Sequence, residues 1–155
     1  MGKQKKIDPD ALVTIPFDKL VLAHREIGVH RGRKYGFRDV FSFKTLLDQP
    51  FTKLANKVKA AYEGTDVPDH KGWPKQHETL KWFVERGSDA MYQFKDDIRV
   101  YKQKDGIYAL AEGNHRALAL YILGADSVRA AVEKQPPAQT WARASFGSRT
   151  LRLFR

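Results

Sequence analysis

The chain has 155 residues and 17.8 kDa, one domain's worth, and its 42% hydrophobic and 12% aromatic residues can build one core, which excludes both a natively disordered chain and a multi-domain enzyme. Its 28 Lys and Arg against 18 Asp and Glu leave a formal charge of +10, which points to a polyanionic partner, nucleic acid or nucleotide, more than to a neutral metabolite. The absence of Cys excludes disulfide scaffolds, thiolate zinc sites and cysteine nucleophiles, and fits a cytoplasmic chain. Met1 to Asp10 is charged, with no apolar signal core, and no apolar run approaches the roughly 20 residues of a membrane span, so no membrane is expected.

Residues 1–10 read as a basic N-terminal extension, 11–135 as a single domain, and 136–155 as a basic, aromatic C-terminal tail. Leu12 to Ile15 is a short strand ended by Pro16, and Phe17 to Leu22 is too short to assign. His24 to Arg38, with Gly28, Gly32 and Gly36 among Arg and His, has neither apolar periodicity and reads as a long basic loop. Phe51, Leu54, Ala55, Val58, Ala61 and Tyr62 then fall on one helical face, with Gly64 as its stop. Thr65 to Trp73 is a loop. Pro74 opens a second helix, Pro74–Arg86, with Leu80, Phe83 and Val84 on its apolar side and Gly87 beyond its end. The period then changes to that of a hairpin: Ile98 and Val100, the turn Lys104-Asp105-Gly106, then Ile107 to Ala111. Glu112 to Arg116 leads into the apolar helical run Ala117–Leu123, stopped by Gly124, and a last strand covers Val128–Val132. The pattern predicts an α/β (α+β) domain, a small mixed sheet with packed helices.

The sharpest local signal is the strand, glycine turn and helix start at Ala111 to Arg116. A helix N-terminus presents unpaired N–H groups and a partial positive charge, so Gly113, Asn114, His115 and Arg116 make a candidate phosphate site. Arg116 can bind phosphate bidentately, and His115 can donate a hydrogen bond or move a proton. Two cations in a first turn oppose the helix dipole unless an anion is bound there. The bland alternative has Asn114 capping the helix, Arg116 paired with a carboxylate and His115 simply packed.

The run from Asp105 through Glu112-Gly113-Asn114-His115-Arg116 to Leu120, followed by Leu123-Gly124-Ala125, resembles the signature segment of the ParB/sulfiredoxin-like superfamily. The resemblance covers Asp97 to Val132. It implies a ParB/sulfiredoxin-like fold in which the arginine-bearing turn contacts the phosphates of a nucleoside triphosphate, ATP or CTP, and an acidic residue at the Glu112 position helps hold Mg²⁺. His115 stands where ParB has a second Arg. Asn114 stands where sulfiredoxin has its Cys, so sulfinic acid repair is chemically excluded. The free serine kinase branch has the most similar turn, Asp-Gly-His-His-Arg, and a catalytic carboxylate in an early His-Glu segment, to which His24-Arg25-Glu26 is similar with one residue inserted.

Phosphoryl transfer and phosphodiester cleavage need neutralised phosphate charge, a positioned nucleophile and usually a metal. The expected roles are Arg116 and the helix N-terminus on phosphate, Glu112 on Mg²⁺, and Glu26 or His115 as base, in a nuclease, an NTPase or a small kinase. No zinc pattern, Walker loop or nucleophile elbow is present. The basic stretches supply nucleic-acid contacts, Arg25, Arg31, Arg33, Lys34 and Arg38 among aromatics in the first and Arg143 and Arg149 in the second. Two further classes stand beside the enzyme: a non-enzymatic DNA-binding module, and a mobile-element protein that uses its basic face on a nucleic-acid enzyme.

Overall fold

The computed structural model describes residues 12–22, 37–41 and 49–133, with Arg38 and Asp39 described for the backbone only. Val13-Thr14-Ile15-Pro16 extends as β1 (Val13–Pro16), a one-turn 3₁₀ segment over Phe17–Lys19 turns the chain, and Leu20–Leu22 forms β2. A one-turn helix, α1, covers Phe37–Val40, so the end of the stretch expected to be a loop is helical. Phe37 and Val40 are both buried, and anchoring to the core outweighs the weak local propensity of so short a segment.

The helices follow the apolar spacing. In α2 (Phe51–Tyr62), Phe51, Leu54, Ala55, Val58 and Ala61 are buried and Lys53 and Lys57 are exposed. Full burial of Phe51 contributes about 1.5–3 kcal/mol. α3 (Trp73–Val84) has Pro74 in its first turn and buries Trp73, Gln76 and Leu80. It starts one residue before the expected Pro74 and ends two before Arg86. α4 (Asn114–Ile122) packs against both α2 and α3 and buries every residue from Arg116 to Leu120, which explains its lack of a polar face.

β3 (Arg99–Lys102), β4 (Tyr108–Glu112) and β5 (Ser127–Glu133) complete a five-stranded mixed sheet in the order β1-β5-β3-β4-β2. β3 and β4 form the expected antiparallel hairpin. Its turn is tightened by left-handed backbone at Asp105 (φ 60°) and Gly106 (φ 74°), residue types that tolerate that region. β5 is antiparallel to β1 and parallel to β3, and β2 is parallel to β4. The side chains of Ile15, Leu20, Leu22, Val100, Leu110, Val128 and Ala130 join those of the helices in one core. The β3–β4 register shifts between Arg99 and Val100, where Arg99 pairs with Glu112, so a bulge re-aims β4 just before the turn into α4. No helix among the described residues is long and apolar enough to cross a membrane.

Candidate functional site

The turn between β4 and α4 depends on Gly113. Its φ is +97°, and a Cβ there would lie 2.9 Å from Ile98 Cγ1 and 3.3 Å from Ile98 Cα, so both backbone conformation and space require glycine. Gly113 is the N-cap of α4 and, as a glycine, brings no side chain to cap it. The first N–H groups of any α-helix lack intrahelical acceptors, so those of α4 face the space at the carboxyl end of β4. β2 runs parallel to β4, with Leu22 beside Leu110, and the chain therefore leaves β2 at the same end of the sheet.

Arg116 turns inward. Its guanidinium donates to the carbonyl of Asp96 at 2.7 Å and more weakly to that of Met91 at 3.5 Å, and lies 5.3 Å over the Phe94 ring. Burial lowers its pKa, while Asp96, Asp97 and Glu112 favour its charged form. The negative charge that offsets the helix dipole in this first turn is thus supplied by the chain itself, and Arg116 braces the 91–97 segment against α4.

His115 is packed from three sides. Its Nε2 lies 2.9 Å from Gln76 Oε1, and its ring sits 5.0 Å from that of Phe37 and 6.1 Å from Phe83, nearly parallel to the latter. These contacts fasten the start of α4 to α3 and α1. Gln76 carries a signal that sequence reasoning missed: it falls on the stripe of Leu80 and Phe83 at helical spacing, a polar residue on an apolar face that requires a buried partner.

Glu112 is half-exposed at the end of β4. Its Oε1 is 3.9 Å from Arg99 Nε, and the buried Arg99 reaches Glu133 Oε2 at 2.5 Å with its Nη1. Burial raises the Glu112 pKa, Glu133 and Asp96 raise it further, and Arg99 and Arg116 act against them. Among the described residues no group of three His, Asp or Glu side chains comes together to hold a metal ion. Glu112, the carboxylate expected to hold Mg²⁺, lies at ion-pair distance from the Arg99 guanidinium and is half open to solvent.

Sequence reasoning also missed Asp96, Asp97, Arg99 and Glu133, the charges that set the electrostatics of the turn. The adjacent pair Asp96-Asp97 before a strand was their available signal. Glu26, Arg25, Arg31, Arg33, Lys34, Arg143 and Arg149 lie outside the described residues, as do the segments 1–10 and 136–155, and the side chain of Arg38 is likewise not described. No protein-family model, curated protein or solved structure matches the chain. The described residues include 15 Lys and Arg and 14 Asp and Glu, Arg38 and Asp39 counted, so nine of the ten excess positive charges belong to residues outside them.

Proposed function

We propose that this protein binds the phosphate of a nucleotide or nucleic acid at the β4–α4 turn, as a ParB/sulfiredoxin-type domain acting in DNA metabolism in the cytoplasm. The observation that supports it is the α4 N-terminus itself, whose N-cap is a left-handed Gly113 pressed on Ile98 and bringing no side chain to the cap, at the carboxyl end of an interior strand. Ligands of α/β sheets favour that end of the strands, and backbone N–H groups there suit an anion. The binding groups in this reading are the N–H groups of Asn114 and His115, with Arg116 as the brace that holds the turn in shape. The +10 charge favours a polyanion, and β2, whose last residue Leu22 pairs with Leu110 near the turn, is followed in sequence by the basic stretch that begins with Arg25.

Binding is better supported than turnover. His115 is engaged with Gln76 and two aromatic rings, which suits a positioned group more than a general base, so phosphoryl transfer or NTP and phosphodiester hydrolysis in this protein rests on Glu26 as base. The test is thermal unfolding of the full chain with ATP, CTP and their diphosphates, each with and without Mg²⁺, and with a short oligonucleotide. Binding to the native state raises the melting temperature with ligand concentration. No shift with any of these phosphates overturns the reading, and product analysis on a ligand that does shift separates an enzyme from a binding module.

A further inference from the structure

Beside the phosphate turn, on the outer side of α3, Trp82 is 45% exposed. The other Phe, Tyr and Trp rings among the described residues are buried or intermediate, and Trp82 is the exposed one, with an apolar face open to a partner. The indole stands on a cluster that leads back to the turn. Phe83 meets it edge-on at 5.1 Å and Phe94 at 6.1 Å, with Phe83 and Phe94 5.5 Å apart. Phe83 stacks on His115 and Phe94 lies beneath Arg116, so the rings connect Trp82 to the first turn of α4 through direct contacts.

Arg86 adds charge to this platform. Its guanidinium lies 3.5 Å from the centre of the Trp82 ring and donates to the Trp82 carbonyl. The ion pairs found among the described residues join Arg99 to Glu112 and Glu133, and Arg86 takes no part in them. An exposed guanidinium held over an exposed indole, and paired with no carboxylate among the described residues, complements a group that is aromatic and anionic together.

We propose that Trp82 and Arg86 form a base-stacking site for single-stranded nucleic acid, whose neighbouring phosphate lies at the β4–α4 turn. This rests on the phosphate reading above and names its ligand more closely. A duplex keeps the faces of its bases stacked on one another, so an exposed indole can take only an unstacked base, while Arg86 meets the adjoining backbone phosphate.

The experiment is fluorescence anisotropy of a labelled twelve-nucleotide oligothymidylate, and of an abasic oligomer with the same number of phosphates, titrated with the full chain. Trp82→Ala is expected to weaken oligothymidylate binding roughly tenfold, within the range for loss of one stacked base, and to leave abasic binding unchanged. Trp82→Phe restores most of the affinity, and Arg86→Ala lowers the salt dependence by about one phosphate contact. Trp82→Leu keeps apolar bulk without a π face, and it carries the same comparison if Trp82→Ala lowers the melting temperature. Unchanged oligothymidylate affinity in Trp82→Ala and Trp82→Leu, with the abasic oligomer still bound, overturns the stacking site and leaves the phosphate reading standing. Failure of the wild type to bind either oligomer overturns the stacking site, and the phosphate reading falls with it only where the nucleotides also give no thermal shift. Competition by thymidine monophosphate as strong as that by the oligomer, at equal base concentration, overturns the assignment to a strand.

Discussion

Arg116 donates to the carbonyl of Asp96 at 2.7 Å, which ties the first turn of α4 to the segment entering β3. The residue that looks most like a phosphate ligand in the sequence is, in the fold, a buried brace. Arg116→Ala leaves the Asp96 and Met91 carbonyls without this donor and removes the cation over Phe94. Loss of a charge-assisted, buried hydrogen bond of this kind costs about 1.5–3 kcal/mol. Urea unfolding of the variant should show a lower midpoint, with Arg116→Lys between it and the wild type because a point ammonium cannot reproduce the guanidinium's reach. A midpoint equal to the wild type's would mean that the guanidinium is a surface group.

Gly113 and Ile98 set a second constraint. Gly113→Ala meets the strain of φ +97° and a Cβ contact of 2.9 Å, which together cost about 1–3 kcal/mol. Adding Ile98→Ala removes the two nearest side-chain contacts but neither the left-handed backbone nor the 3.3 Å approach to Ile98 Cα. The pair is therefore expected to couple favourably, with the double variant less destabilised than the sum of the singles, in a double-mutant cycle by chemical denaturation. Strict additivity would place the whole cost in the backbone.

These two residues also mark how far the sequence could be read. Local patterns were legible: α2 spans Phe51–Tyr62 as its apolar spacing requires, and the Lys104–Gly106 turn joins two antiparallel strands. β2 was not, because three residues give no period and Leu20–Leu22 is held as a strand by parallel pairing with a segment nearly ninety positions away. At the site, the strand–glycine–helix turn could be recognised from Glu112 to Arg116. The direction of the Arg116 side chain could not, because it depends on carbonyls of Met91 and Asp96 that carry no sequence signal. His115 was open to a packed reading and a chemical one, and only the approach of Gln76, Phe37 and Phe83 brings out the packing.

Arg99 and Glu133 make an ion pair across the sheet, 2.5 Å between a buried guanidinium and a carboxylate at the end of β5. Glu133→Ala removes this carboxylate from Arg99, while Glu112 stays at 3.9 Å. Removing one partner of a buried pair costs about 3–5 kcal/mol, and the partial exposure of Glu133 puts this case nearer 2–3 kcal/mol. Because both carboxylates serve one guanidinium, Glu112→Ala should have a more unfavourable effect in the Glu133→Ala background than in the wild type, where burial and Glu133 already oppose the Glu112 charge. Denaturant melts of the four proteins check this, and equal effects in the two backgrounds would show that Glu112 does not share Arg99.

The last expectation concerns pH. The Glu112 pKa lies above the ordinary carboxyl value of 4.5, first through burial and then through the negative charges of Glu133 and Asp96. The folded state therefore holds this proton more tightly than the unfolded chain, and the ionised carboxylate weakens the fold at neutral pH. That penalty fades as pH falls through the folded pKa and is gone below the unfolded value, where both states are protonated. Glu112→Gln, which mimics the protonated group, should thus melt higher than the wild type at pH 7 and no higher at pH 3.5. The half-exposed position keeps the effect small, so the sign of the difference between the two pH values is the quantity to measure. A Gln variant that melts lower at pH 7 would show instead that the attraction of Arg99 outweighs burial and the neighbouring carboxylates.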